Sequence, residues 1–569
     1  MLSRKKPRST GAVHGIDLGT TYSCLATVNA SGTPEVVPLL DGSLTLPSVV
    51  LFLGADDCMT GEPAREQSRS RPDDVCSLVK RRMGDGEWRF VSHGRSWSAP
   101  AVSSLVLKAL INDTALSTGP VQDVVITVPA YFGDEERRAT RLAGEYAGLT
   151  VLDVISEPIA AALSYGFARL EPGLVKGPAE ETALVYDLGG GTFDVTVVEL
   201  AERRVAVVAI DGDHELGGAD WDEKLALHLS RAFREGHPDA EDPLDDSAGA
   251  QALVLAAERA KRDLTDRTST VVHVAHDGRE LDVTVTRDDL ERLTAGLLDR
   301  TLELTRSAVA AARDRGLHRI DRVLLVGGAS RMPSVATRLA KELGVPAELA
   351  DPDLAVAKGA AIYGEKKSVE RLVHSDLTTR GQLADGAPLS SASAADVDAA
   401  CARLAEALGL TTERIRRTVQ VQVLNVCSRG FGVLALSSLT GEPEAVFLVH
   451  RNDRLPVAVR RSFGTVHDDQ PVVTVRVVEQ GGGAESELLD DNKVIAEASI
   501  TDIPPGYPAG SEIQIGLRMG FDGILELTAW HEALADRPLT VQVETSAALS
   551  QADVARERAQ VARVRRRDR

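Results

Sequence analysis

Two short stretches of this sequence echo each other. GIDLGTTYS, from Gly15 to Ser23, and VYDLGGGTFD, from Val185 to Asp194, each run an apolar strand into Asp-Leu-Gly and then a turn of small residues. Glycine and threonine in a tight turn let successive backbone N–H groups point at one anion, with no Cβ in its path. One such turn is an ordinary hairpin; two in matching positions predict a clamp on a single polyphosphate from both sides. Asp17 and Asp187 would then face a magnesium ion through its water shell, because magnesium keeps several waters. The simple nucleotide motifs do not compete: there is no Gly-Lys dipeptide, hence no Walker A loop, and no GxGxxG. VLLVGGASRMP, Val323 to Pro333, ends a buried-strand run in a double glycine before a helix, another point where backbone can approach a ligand. Glu258, Lys261 and Arg262, at i, i+3 and i+4, put an acid and two bases on one helical face, which by itself reads as a solvated surface.

The elements that must position these residues alternate. From Val13 to Gly364, apolar strand runs (VVITVPA, ALVYDL, VTVVEL, VLLVGG) alternate with longer helical stretches such as Gln251 to Leu264, the pattern of an α/β domain. Residues 1–12 form a basic tail. Residues 365–420 are expected to be a linker, losing periodicity between Lys366 and Ser393, with a short helical pair from Ala394 to Arg417 capped internally by Thr411 or Thr412. Residues 421–548 turn to short period-two strands (AVFLVH, PVVTVRVVE, EIQIGLRM, GILELTAW), an all-β domain. Residues 549–569 read as one helix with a basic tail.

Length and charge agree with this division. At about 150 residues per domain, 569 residues imply three to four units. A hydrophobic fraction of 43% with 26% charged residues is that of a folded chain. A net charge of −20 repels phosphate backbones and anionic lipid, so neither nucleic acid nor a membrane is an expected partner. No apolar run is long enough to span a bilayer, and the basic opening MLSRKKPRS leads into no apolar signal core. Five scattered cysteines without a CxxC pair point to a reducing compartment, and the expected location is the cytoplasm.

With GIDLGTTYS, VPAYF, SEPIAAALSYG, DLGGGTFDV, ERAKR and VGGASR in order and at fitting intervals, residues 13–364 resemble the ATPase domain of the DnaK, or seventy-kilodalton heat-shock, chaperone family. The resemblance implies two actin-like lobes with ATP or ADP between them. Gly19, Thr20, Thr21 and Tyr22, with Gly190, Gly191 and Thr192, become the phosphate turns. Glu258, Lys261, Arg262 and Thr265, with Gly328, Ala329, Ser330, Arg331 and Asp353, frame the adenosine. By the same match Lys80, Glu157, Asp187 and Thr192 are catalytic, Asp17 and Asp187 hold Mg2+ through water, and Asp194 neighbours a monovalent cation such as K+. Slow hydrolysis is expected, since none of these groups is a strong base. The β-domain is similar to the family's peptide-binding sandwich through FGTVHDDQPVVTVRVVE, IPPG and FDGILELTA. That match makes Phe431, Val433, Phe463, Val466, Val473 and Val475 the lining of a cleft for extended apolar peptides, with J-domain proteins and nucleotide exchange factors as implied partners.

Several features depart from the family. The interdomain linker corresponds to VQVLNV, with Asn425 where an acid is usual; Ala329 replaces a serine; the SSLTGEPEA loop is long; and the helical lid has no counterpart. His237, Pro238 and Asp239 spell the J-domain signature, but lie in a polar turn without its helical hairpin. The leading expectation is an ATP-dependent chaperone. The alternative is a nucleotide-gated scaffold or exchange partner of another chaperone. A sugar kinase or filament former of the same superfold would leave the β-domain unexplained.

Overall fold

The computed structural model describes residues 12–170, 180–201, 203–437, 439–520, 523–534, 539–543 and 551–567. The basic segment 1–11 lies outside them, as do residues 544–550.

Two six-stranded sheets organise the first part of the chain. In each, an antiparallel hairpin carries one Asp-Leu-Gly turn and receives a parallel strand on its first arm. His14–Leu18 pairs with Tyr22–Val28 and runs parallel to Asp123–Val128. Glu180–Leu188 pairs with Phe193–Ala201 and runs parallel to Arg322–Val326. The sequence echo is therefore a structural duplication, and each half forms a lobe around its own core. A third core joins the lobes, where Glu157–Leu170 crosses Ala355–Thr379. Alanine-rich stretches on both helices (IAAALS and AVAKGAA) let the backbones approach closely, and a Cβ on Gly359 would collide with the backbone of Ala160.

Helix Ala355–Thr379 runs through the boundary expected at 364/365. Its second half buries Val369, Val373 and Leu377 against Ala400, Cys401 and Ala405 of helix Ala394–Leu408, and Ile415 of helix Thr412–Gln420 completes this core. The stretch expected as linker is thus helical to Thr379, because Val369, Val373 and Leu377 recur every fourth residue and find an apolar partner. Thr411 caps the last helix, its hydroxyl accepting from Arg414 N at 3.2 Å.

Next, Gln422–Leu424 adds a sixth strand, parallel to Arg204–Ala206, at the edge of the second lobe's sheet. Asn425 does not prevent this; its side chain accepts from the amide of Val426. The β-domain beyond is a sandwich of two four-stranded antiparallel sheets. One is ordered Pro443–Val449, Phe431–Leu436, Val473–Gln480, Asn492–Ile500; the other Val457–Gly464, Glu512–Met519, Leu525–His531, Leu539–Gln542. The sandwich rests on the ATPase-like region: Arg429 pairs with Glu136 at 2.9 Å, Lys493 with Glu135, and Arg451 with Asp211 at 2.9 Å, while Asn452 accepts from Ile210 N.

The end of the chain also departs from expectation. The expected helix is there, Gln551–Arg563, but the basic residues after it form a strand, Arg565–Arg566, paired in parallel with Asp57–Thr60 of the first lobe. All five cysteines are buried and unpaired. Among the described residues no helix is long and apolar enough to cross a membrane.

Candidate active site

The two turns meet face to face. A Cβ on Gly190 would strike the side chain of Thr21, and one on Gly191 that of Thr20, so only glycine permits this approach. Both turns are fixed from behind. Ser48 Oγ donates to Gly19 O at 2.8 Å, and Gly218 N and Ala219 N donate to Gly189 O and Gly190 O at 2.9 and 2.7 Å. The second turn is thereby tied to the first turn of helix Gly218–Gly236.

Beside the turns lies a charge cluster. Lys80, on the short 3-10 turn Val79–Arg82, donates from Nζ to the carboxylate of Glu157, the first residue of helix Glu157–Leu170. Both are nearly inaccessible to solvent. A carboxylate at that end of a helix is favoured by the helix dipole. Asp17 accepts from Thr127 Oγ1 at 2.9 Å and Asp194 from Ala130 N at 2.8 Å. Strand register places Asp187 opposite Asp194, and Thr192 is buried beside them. Burial, reinforced by Glu157 and only partly offset by Lys80, pushes the Asp17 carboxyl up to about 7. Burial and the neighbouring carboxylates hold Asp187 and Asp194 well above the usual carboxylate range.

Four carboxylates thus bear on one another with Lys80 as the cation the three aspartates share. Such an imbalance favours a divalent cation, which would restore the charged forms. Carboxylate oxygens are hard donors that suit magnesium, an ion that keeps several of its waters.

The adenosine-framing candidates come together on two elements, helix Ser247–Asp266 and the turn Gly328–Arg331. Several are already engaged in holding that frame. Lys261 Nζ donates to Gly218 O at 2.7 Å and to Asp222 at 2.8 Å. Thr265 bonds back to Lys261 O. Ser330 Oγ accepts from Leu188 N and donates to Val326 O, tying two strand ends together. Ala329 is buried next to it. Arg331 pairs with Asp353 at the surface. Arg262 lies 5.2 Å from the centre of the Tyr22 ring, donating to its hydroxyl at 2.6 Å and to Glu258 at 2.7 Å. Tyr22 belongs to the first lobe and Arg262 to the second, so this stack crosses the cleft.

Two further cross-cleft arginines escaped the sequence reading. Arg65 pairs with Glu258 at 3.1 Å and donates to the Tyr22 hydroxyl. Arg81 donates from Nε to Gly191 O at 2.7 Å and from Nη2 to Asp220 at 2.6 Å. Arg81 adjoins Lys80 in VKRRMGD, which was the one available signal; its partners come from the other lobe.

The structure divides the six residues expected to line a peptide cleft into two groups. Phe431, Val433 and Val475 lie in the interior between the two sheets, each nearly or wholly inaccessible, because the inward positions of alternating strands must fill the sandwich. Phe463 and Val473 are half-buried and Val466 is exposed; these three gather around the 465–472 connection between the sheets.

Two duplicated α/β lobes clamped on matched hairpin turns, with a lysine and carboxylates beside them, define an actin-like ATPase domain, here followed by a β-sandwich. A family model for the Hsp70 protein matches residues 13–392 and 396–569, and the chain belongs to the Hsp70 family. Proteins of that family bind ATP or ADP with magnesium, hydrolyse ATP, and act as chaperones on unfolded peptides together with co-chaperones; chaperone and ATPase function in this general sense comes with membership.

Proposed function

We propose that this chain is an ATP-dependent chaperone of the DnaK type, in which slow hydrolysis of Mg-ATP gates the binding of unfolded apolar segments by the β-domain. The observation that carries this reading is the Lys80–Glu157 pair among the buried aspartates of the strands that lead into and out of the glycine turns. Asp17 and Asp187 would hold magnesium through water, and the ion would neutralise charge on the phosphates. Thr20 and Thr192 would contact the phosphoryl oxygens from opposite lobes. Lys80 would orient the attacking water with Glu157, and Asp194 would neighbour K+. Phosphoryl transfer depends mainly on such positioning and charge neutralisation, and none of these groups is a strong base poised to speed it. Slow turnover suits a timer.

Support for gating comes from the joint between domains. The strand Gln422–Leu424 extends the second lobe's sheet, while Arg429 and Lys493 reach the acidic N-terminus of helix Asp134–Tyr146 in the first lobe. A change of lobe angle would therefore act on both attachments. J-domain proteins and exchange factors are the proposed partners. Calorimetry and single-turnover hydrolysis test the reading: Lys80→Ala should keep ATP binding and lose about a hundredfold or more in hydrolysis. No ATP binding by the unmodified chain, or unchanged turnover in the variant, would refute it.

The scaffold alternative has one observation in its favour, the interior placement of Phe431, Val433 and Val475. Fluorescence anisotropy with Leu-rich peptides separates the two, since a scaffold shows no saturable binding.

A further inference from the structure

The segment from Gln551 to Arg567 occupies a built site on the first lobe, and three kinds of contact define it. The first is a strand edge. Arg565 N donates to Asp56 O at 2.9 Å and Arg567 N to Cys58 O at 2.8 Å, so the segment covers the edge of Asp57–Thr60, which would otherwise present unpaired backbone groups. The second is apolar: Val561 is wholly buried and Val564 nearly so, both within the first lobe's own core. The third is charge. Arg566 reaches the buried carboxylate of Asp113 with both terminal nitrogens, at 2.5 and 2.9 Å, in the fork geometry that suits carboxylate recognition. Lys108 Nζ donates to Val561 O at 3.0 Å, and Ser98, the N-cap of helix Ala99–Thr118, donates to Glu557 at 2.7 Å.

We propose that this part of the first lobe is a peptide-binding site for a basic, strand-forming segment, filled in cis by residues 551–567. The segment acts as a strap. The β-domain enters from Gln422–Leu424 on the second lobe and leaves toward Gln551–Arg563 on the first, so the ATPase domain holds it at both ends. A helix engaged on the first lobe cannot at the same time cover the sandwich. Release of the strap would free one end of the β-domain and expose the Asp57–Thr60 edge.

The test uses the full-length chain, with Arg566→Glu at the half-buried ion pair and Val561→Asp in the buried apolar contact. In hydrogen exchange, the amides of Arg565 and Arg567 should be protected in the unmodified protein and exchange about tenfold faster or more in both variants, with ATP affinity unchanged. A synthetic peptide of residues 549–569 should bind saturably to the Val561→Asp chain and far more weakly to the unmodified chain, whose site is filled. Unprotected amides in the unmodified protein, protection that survives both variants, or equal peptide binding to both chains would overturn the proposal. So would protection that depends on protein concentration, since that would mean the segment is exchanged between copies.

Discussion

At the scale of single residues, the site is defined by an excess of buried negative charge. Asp17 holds its proton up to about pH 7, against an unfolded value near 4, because burial and Glu157 oppose its ionisation. The folded state therefore binds the proton more tightly than the unfolded state. This contribution to metal-free stability is full below about pH 4, falls as pH rises through about 7, and is level above. Magnesium reverses the balance by favouring the ionised carboxylates, and it has fewer protons to displace as pH rises. Thermal unfolding with and without Mg2+ should show a larger stabilisation at pH 8 than at pH 6, and Asp17→Asn should reduce the difference. Equal stabilisation at the two pH values would mean that the carboxylate cluster does not engage the ion.

The paired aspartates and the glycine turns were legible in the sequence because local spacing sets them; Lys80 in VKRRMGD was legible only through the family resemblance. Arg65 and Arg81 were not. Their partners Glu258, Asp220 and Gly191 O lie across the cleft, and only closure of two lobes built from distant segments brings these groups together.

At the scale of elements, the β-sandwich shows where alternation misleads. Period-two patterns mark which residues share a face but do not say whether that face is a cleft or an interior. Phe431, Val433 and Val475 point between the sheets; Val473 lies at a strand's start, half-buried. Val433→Phe should overpack the core and cost about 1–3 kcal/mol in denaturant unfolding. Val473→Phe should leave stability within about 1 kcal/mol and weaken peptide binding. The opposite assignment of the two effects would place the peptide contacts inside the sandwich after all.

Glu479 sits at the joint between the sandwich and helix Asp134–Tyr146, facing Arg429, Asp134, Glu135 and Glu136, with Lys493 paired to Glu135. Burial, with the three acids against it and Arg429 for it, pushes its carboxyl up to about 7. If undocking exposes the group, the docked state holds the proton more tightly. Docking is then strongest below about pH 4.5, weakens as pH rises through about 7, and levels off. Interdomain energy transfer between the ATPase and β-domains should decline from pH 5 to pH 7.5, and Glu479→Gln should flatten the profile. The helix through 364 was missed for a related reason: Val369, Val373 and Leu377 stand among charged residues, and their stripe gains meaning only from the apolar face of Ala394–Leu408.

For the whole molecule, the location of the helices matters more than their number. Ala394–Leu408 and Thr412–Gln420 pack on Ala355–Thr379, and Gln551–Arg563 on the first lobe, so these helices serve the ATPase domain. A cover over a binding site slows exit more than entry, and affinity differences between related complexes appear mostly in the off-rate. With these helices engaged elsewhere, a bound peptide should leave quickly even with ADP. The linker strand and the ion pairs at the joint should still transmit nucleotide state, so ATP should accelerate release by a modest factor. Stopped-flow release of a labelled peptide from the full-length chain tests this most directly. The account predicts release on the order of seconds with ADP, and a several-fold acceleration on mixing with ATP that is lost when ATP binding is blocked. Release over minutes with ADP that quickens strongly with ATP would mean that some element closes over the peptide, and release indifferent to nucleotide would contradict gating altogether.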